Sequence, residues 1–419
     1  MPGMRIKNEF IKNILTLLSG ASIAQGISLL AIPVLTRIYS PEEFGFLALF
    51  ISLAHIISTI ATGRYELAIM LPEQDKDAKF IMAGAFRIVL STSLVALAGI
   101  IFVKNAFPGL KEYIAPGYFY LLPLSILLLG SNKILTQWLN RKKAFKIQAK
   151  IKIFQSTGNS LVSISSGFSS MFKSAGLFAG HIAGTGIQTG GLLWATPNVK
   201  KLLFSSEKKQ IRHQLKLNRN FPFFSAPMGV LNLLSSDLLI YLLNAFYTTS
   251  LVGIYNNANK VINYPLSLIS QAFTSVFYQK IRETKRKEKI YLLSYLINFS
   301  IATTALIPII LWGEEIFSFV LGKEWALAGS IAGLLAPVTI ASFAMRSVSN
   351  VFSLLRKNHT LLIWQCIYLA LVLLTVLFTK ADGFNQMLIS FSLVGAILYI
   401  ILAYTGWKLL KKAKNEKNN

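Results

Sequence analysis

The stretch Phe44-Gly-Phe-Leu-Ala-Leu-Phe-Ile-Ser-Leu-Ala-His-Ile-Ile-Ser-Thr-Ile-Ala-Thr62 contains no Lys, Arg, Asp or Glu. A helix needs about 20 such residues to cross the roughly 30 Å of hydrocarbon in a bilayer. Stretches of this kind recur from end to end of the 419-residue chain, which is 53% hydrophobic and only 14% charged, with a mean hydropathy of +0.55. A soluble domain of that size needs far more charge on its surface, and no stretch of about 100 residues could close a soluble core of its own. The expected fold is an all-α integral membrane protein with about twelve transmembrane helices.

The expected spans are Ile14–Leu35, Phe44–Thr62, Phe80–Val103, Ile114–Leu139, Ile153–Phe172, Ala175–Thr196, Asn220–Phe246, Leu251–Phe277, Tyr291–Trp312, Ala328–Leu355, Leu361–Thr379 and Gln386–Leu409. The fifth is rich in Ser and Gly, and the eighth carries Asn256, Asn257, Asn259 and Lys260. Polar residues at such depths suit a helix that faces protein or water. Arg5, Lys7 and Lys12 before the first span resemble a signal peptide. The apolar run continues past Ala31 without a small-residue cleavage site, so a retained helix is expected.

The loops carry their own signal. With the N-terminus in the cytoplasm, 32 of the 42 Lys and Arg fall on cytoplasmic segments and 6 on the opposite side. Arg87, Lys133, Lys260 and Arg346 remain inside spans. This alternation is the positive-inside pattern; it places both termini in the cytoplasm and explains the net charge of +25 without nucleic acid. Arg141–Lys152 alternates basic residues with Ala144, Ile147 and Ile151. It reads either as an amphipathic segment on an anionic phospholipid leaflet or as a plain basic loop.

Two echoes, roughly half the chain apart, suggest duplication. Tyr39-Ser-Pro-Glu-Glu-Phe-Gly45 is matched by Tyr247-Thr-Thr-Ser-Leu-Val-Gly253, and Lys111-Glu112-Tyr113…Gly117 by Lys323-Glu324-Trp325…Gly329. Each half holds an even number of spans and so keeps one orientation. The expectation is two six-helix bundles, residues 1–200 and 220–419 with its basic tail, joined by a basic cytoplasmic linker at 201–219. A pseudo-two-fold along the membrane normal would relate them around a central cavity.

Catalytic constellations are scarce. His55, His181, His213 and His359 lack metal-ligand spacing, and Cys366, the single cysteine, excludes a disulfide framework or thiolate metal site. Gly180, Gly184, Gly186, Gly190 and Gly191 lie in an apolar span, where small residues let helices approach. Short outer loops with scattered acids argue against a membrane glycosyltransferase or polymerase, so a transporter rather than an enzyme is expected. No cofactor or metal is expected.

Charges inside spans are the informative residues, because one at mid-bilayer costs roughly 2.5–3.5 kcal/mol unless it meets water or a partner. Arg87, Lys133, Lys260 and Arg346 are therefore candidate linings of a cationic, anion-binding cavity. Arg87 alternatively snorkels to the interface, Lys133 and Arg346 snorkel or pair structurally, and Lys260 forms a neutral packing pair with Asp237. Asp237 is the acid deep in a span. Arg64 and Glu66, ending the second span before Pro72 and the acids Glu73, Asp75 and Asp77, are a candidate gate or an ordinary solvated loop.

Several motifs resemble the polysaccharide biosynthesis (O-antigen, Wzx-type) flippases of the multidrug/oligosaccharidyl-lipid/polysaccharide exporter superfamily. They are Leu35-Thr-Arg-Ile-Tyr-Ser-Pro-Glu-Glu-Phe-Gly45 followed by Arg64-Tyr-Glu-Leu-Ala-Ile69 and Leu71-Pro72; Arg141-Lys-Lys-Ala-Phe145 leading to Gln155; Asn220-Phe-Pro222 through Val252-Gly253 to Tyr264-Pro265; and Leu321-Gly-Lys-Glu-Trp325…Ala328-Gly329 with Leu335-Ala-Pro337. The resemblance implies a two-lobed, twelve-helix transporter in the bacterial inner membrane. It implies an undecaprenyl-diphosphate oligosaccharide as cargo, carried to the outer leaflet for O-antigen, capsule or a related glycan. A glycan polymerase and assembly proteins are candidate partners. Asp237, Glu66 or His181 could couple to H+ or Na+. The alternatives are a drug or metabolite cation antiporter of the same fold, a membrane polymerase or ligase, and a non-transporting scaffold.

Overall fold

Each of the twelve expected spans coincides with helix in the computed structural model, which describes residues 2–106, 117–169, 175–197, 207–284, 286–355 and 357–418. In chain order the helices are α1 (Pro2–Ile38), α2 (Pro41–Thr62), the single turn α3 (Tyr65–Ala68), α4 (Asp75–Ala106), α5 (Leu122–Arg141), α6 (Phe145–Gly167), α7 (Gly176–Trp194) and α8 (Lys208–Leu217). They continue with α9 (Ala226–Phe246), α10 (Thr249–Glu283), α11 (Lys287–Leu321), α12 (Ala326–Leu334), α13 (Ala336–Val348), α14 (Asn350–Leu354), α15 (Asn358–Thr379) and α16 (Phe384–Asn418). The described residues contain no strand.

Among the described residues eight helices are long and apolar enough to cross a membrane unaided, and α12 with α13–α14, bent by 59° at Leu335, is as apolar and forms a broken span or a re-entrant loop. Pro337, two residues past the break, explains it: a proline removes a backbone donor and crowds the preceding turn. The expected spans α6, α7 and α10 are more polar than these. Two of them were marked by their Ser, Gly, Asn and Lys content, and polar helices of this kind cross a bilayer where neighbouring helices shield them. The start of the fourth expected span, the end of the fifth and the Lys111-Glu112-Tyr113 echo lie outside the described residues.

The chain divides into two units by internal contacts. The first holds Met1–Tyr39 and Phe46–Asp237; the second holds Ser40–Gly45 and Leu238–Asn419.

The first unit is packed through small and hydroxyl residues, as expected where lipid removes the hydrophobic drive between helices. Gly20 of α1 abuts Ala149 of α6, and Ser156 of α6 donates to the Ala24 carbonyl at 2.6 Å. Gly180 and Gly184 of α7 lie against Ser163 and Asn159 of α6 and Gly191 against Ile151, so these three serve packing, whereas Gly186 and Gly190 have nothing within 4 Å of an added Cβ. Gly130 of α5 meets Val89 of α4, and Ser93 donates to the Pro123 carbonyl at 2.6 Å. Asn132 of α5 donates to the Thr185 carbonyl and to Gln188 and accepts from Thr189, all on α7.

The second unit has a large apolar cluster built from Phe277, Ile281, Tyr291, Met345, Val348, Phe352 and Leu402. Tyr291 donates to the Ala403 carbonyl at 3.0 Å, and Ser347 bridges Ser270 and Asn298. The motif residues meet here: Phe44 stands edge-on to Trp325 with ring centroids 5.2 Å apart. The echo glycines meet as well, because Gly253 faces Pro41 and Gly45 while Gly45 faces Thr249.

Candidate functional site

Three of the charged candidates, Arg64, Glu66 and Lys133, converge in the first unit at the end of α2. Ser52, His55, Thr59 and Thr62 recur at helical spacing along one face of α2. The helix ends at Gly63, whose amide reaches back to the Ile60 carbonyl at 2.9 Å with φ +54°. That is the glycine position at which helices commonly terminate. Arg64 follows in the same left-handed region at φ 57°, which costs a non-glycine residue about 1–2 kcal/mol. Its surroundings compensate. The guanidinium lies on Gly229 of α9, where a methyl group would come within 2.7 Å of Nε, and Nη1 is 3.5 Å from Oε1 of Glu66.

Glu66 is 2% exposed. Its Oε2 and the Nε of Arg64 are buried without a hydrogen-bond partner in the protein. Lys133 approaches from α5 and donates to Ser58 Oγ at 2.8 Å and Thr59 Oγ1 at 2.6 Å, with Glu66 and Arg64 both within electrostatic range. Both hydroxyls in turn donate to the His55 carbonyl at 2.9 Å. An ammonium group in this setting is held by neutral oxygens, with the Glu66 carboxylate nearby to answer both it and Arg64.

The turn is braced from outside. Tyr65 donates to the Leu215 carbonyl of α8 at 3.1 Å, and burial pushes its phenol above the ordinary tyrosine range. Arg141 donates to Asp75 at 2.9 Å and to the Ile69 and Glu73 carbonyls, while Lys142 pairs with the other oxygen of Asp75. Arg141 and Lys142 thus tie α5 to the start of α4, and from Phe145 the chain is already α6.

The other candidates stand apart from this cluster. Asp237 of α9 accepts a short hydrogen bond from Ser52, two turns along α2 from Lys133's partners. His181 of α7 is 6% exposed, lies 3.1 Å from Ser125 Oγ and meets the ring of Phe50 edge-on. Arg87 is half-buried on α4, one turn past Ala83. Lys260 and Arg346 belong to the second unit. Lys260 is half-buried on α10, one turn from the fully buried Asn257, whose amide atoms have no hydrogen-bond partner in the protein. Arg346 is exposed on α13, with Tyr399 in electrostatic range. Among the described residues no three His, Cys, Asp or Glu could hold a metal ion.

Ser52, Ser58 and Thr59 carry no signal of their own in the sequence, and His55 and Tyr65 stand there only as a histidine without ligand spacing and as part of a motif. The available signal was the spacing of polar residues along one face of an otherwise apolar span.

Comparison with known proteins follows the same residues. A family model described as polysaccharide biosynthesis protein matches residues 34–329, from the first quoted motif through Gly329. The succinoglycan biosynthesis transport protein ExoT of Rhizobium meliloti (strain 1021) is 23% identical over 325 residues, which cover 74% of this chain and 62% of that protein. The chain therefore spans less than two thirds of this relative. An inward-facing multidrug resistance MATE family transporter of the MOP superfamily superposes with a TM-score of 0.70 at 14% identity, covering 97% of this chain and all of that one. The lipid II flippase MurJ, in an inward closed conformation, superposes with a TM-score of 0.73 at 16% identity, covering 93% and 87%. These likenesses establish the fold: an all-helical, multi-pass membrane protein with the twelve-helix, two-lobed architecture of these transporters.

Proposed function

The chain belongs to the polysaccharide biosynthesis protein family, and from that premise we propose that it is a flippase for undecaprenyl-diphosphate-linked oligosaccharide. It moves its cargo from the cytoplasmic to the outer leaflet of a bacterial inner membrane, for O-antigen, capsule or a related polysaccharide. It transports rather than catalyses. Pulling a glycan and a diphosphate through hydrocarbon would strand many polar groups at several kcal/mol each. A protein that opens alternately to the two sides removes that barrier.

The observation that carries the reading is Lys133, a cation on a membrane-spanning helix held by Ser58 and Thr59 hydroxyls. A diphosphate is the complementary group, since charge-assisted hydrogen bonds to phosphate oxygens are the strong ones. Arg87, Lys260 and Arg346 are proposed to share this role. Glu66, Asp237 and His181 are the groups proposed to exchange H+ or Na+, and Arg64 is proposed to hold Glu66 in place as part of a cytoplasmic gate.

A deletion strain analysed leaflet by leaflet tests the proposal. Lipid-linked oligosaccharide should accumulate on the cytoplasmic side. Lys133→Ala, Lys260→Ala and Arg346→Ala should each impair export at unchanged membrane abundance. Normal surface glycan without an accumulated intermediate would overturn the flippase reading, and unchanged export in all three variants would remove the cationic site.

A further inference from the structure

We propose that the exposed basic face of α8 is a docking site for anionic phospholipid headgroups. The sequence suggested such a surface at Arg141–Lys152, where Arg141 and the exposed Lys142 pair with Asp75 while Lys143, Lys146 and Lys150 stand exposed around the start of α6. In α8 (Lys208–Leu217) the two faces separate cleanly. Ile211, 3% exposed, packs with Phe80 and Ala83 of α4, and Leu215 packs with them and covers Gly84. The Tyr65 hydroxyl holds the Leu215 carbonyl at 3.1 Å. This edge fixes the helix. Lys208, Lys209, Arg212, His213 and Lys216 are all exposed. Lys208, Arg212 and Lys216 recur every fourth residue and form one stripe about 12 Å long.

The level of α8 identifies the partner. Phe80–Gly84, against which it lies, is where α4 passes from the charged run Asp75–Lys79 into its apolar run. Leu217, the last residue of α8, is 63% exposed, and Phe223 and Phe224 are 71% and 70% exposed at the start of the next apolar span. Basic side chains above exposed aromatic and aliphatic ones match the boundary between headgroups and acyl chains. A soluble polyanion would satisfy the lysines and leave Phe223 and Phe224 in water; a phospholipid answers both. The proposal does not depend on which cargo the protein moves.

The test is native mass spectrometry of the full chain presented with phosphatidylglycerol, cardiolipin and phosphatidylcholine, beside the variant K208Q/K209Q/R212Q/K216Q. Each basic residue near an anionic surface contributes about a fivefold factor, so the variant, which loses four, should retain anionic lipid on the order of several hundredfold less well. The charge-conserving variant K208R/K209R/K216R should behave like the natural chain. Equal retention of anionic lipid by the natural chain and the neutral variant would overturn the proposal. So would indifference of the natural chain to headgroup charge. A neutral variant that is less stable in phosphatidylcholine alone would overturn it too, because the residues would then serve folding. Loss of a bound soluble polyanion with lipid retention unchanged would assign the face to a different partner.

Discussion

Gly253 presses on Gly45 with no room between them for a methyl group: a Cβ on Gly253 would strike the Pro41 carbonyl oxygen and come within 2.7 Å of the Gly45 amide. The contact is reciprocal, because a Cβ on Gly45 would strike the carbonyl of Thr249, which precedes Gly253 as Pro41 precedes Gly45. The two echoes noted in the sequence thus pack on each other in matching register, at the first turns of α2 and α10. Close approach of this kind is how membrane helices gain dispersion contact without a hydrophobic drive. Gly253→Ala should cost about 1–3 kcal/mol, as overpacking does, and lower the unfolding temperature in detergent. Gly26→Ala, with nothing within 4 Å of the added carbon, is the matched control. Equal unfolding temperatures for the two variants would deny the close approach.

Phe44 and Trp325 come from different motifs and meet edge to face. Trp325 is fully buried. Trp325→Ala should destabilise by about 3–5 kcal/mol, the usual range for emptying a large aromatic site. Phe44→Leu keeps most of the volume and should lose mainly the ring pair, about 0.5–1.5 kcal/mol. In a double-mutant cycle read by thermal unfolding, the pair should show a coupling of that size. Strict additivity would mean that the rings touch without favouring each other.

Cys366, the single cysteine, is exposed on α15 with Ile363 and Ile367, exposed at 56% and 46%, one turn before it and beside it. Exposure among apolar neighbours on a spanning helix means contact with acyl chains. Cys366 should therefore resist a membrane-impermeant maleimide in sealed vesicles and react once the protein is denatured. Rapid labelling in intact vesicles would place this face of α15 in water.

The spans were legible because crossing a bilayer demands length and low charge, and both are countable along the chain. Lys133, Arg64 and Glu66 were legible for the same reason: a charge among apolar residues stands out. Their partners were not. Ser58 and Thr59 are ordinary helix residues whose hydroxyls usually bond backwards to their own helix, and these do so at the His55 carbonyl while also receiving Lys133 from α5. That second bond depends on how α2 and α5 pack, which no local pattern encodes. The helix α8 is an intermediate case. Within a linker taken as simply basic, Ile211 and Leu215 stand four residues apart on one face, but their partners Phe80 and Ala83 lie far away in the chain.

Glu66 answers both Arg64 and Lys133 in the first unit, so its charge should matter more than its shape. Glu66→Gln preserves the volume and leaves two cations without their counter-charge. Breaking a fully buried pair costs about 3–5 kcal/mol. Arg64 is 30% exposed and its Nη1 stands 3.5 Å away, so solvent screening reduces the expectation to about 1–2 kcal/mol. Lys133→Met in the Glu66→Gln background removes one of the stranded cations and should recover part of that stability, measured as unfolding temperature and membrane abundance. Export should stay low in the double variant, because the proposed phosphate-binding ammonium is gone. Full recovery of both stability and export would make Glu66 and Lys133 a structural pair only, and would shift the anion site to the remaining cations.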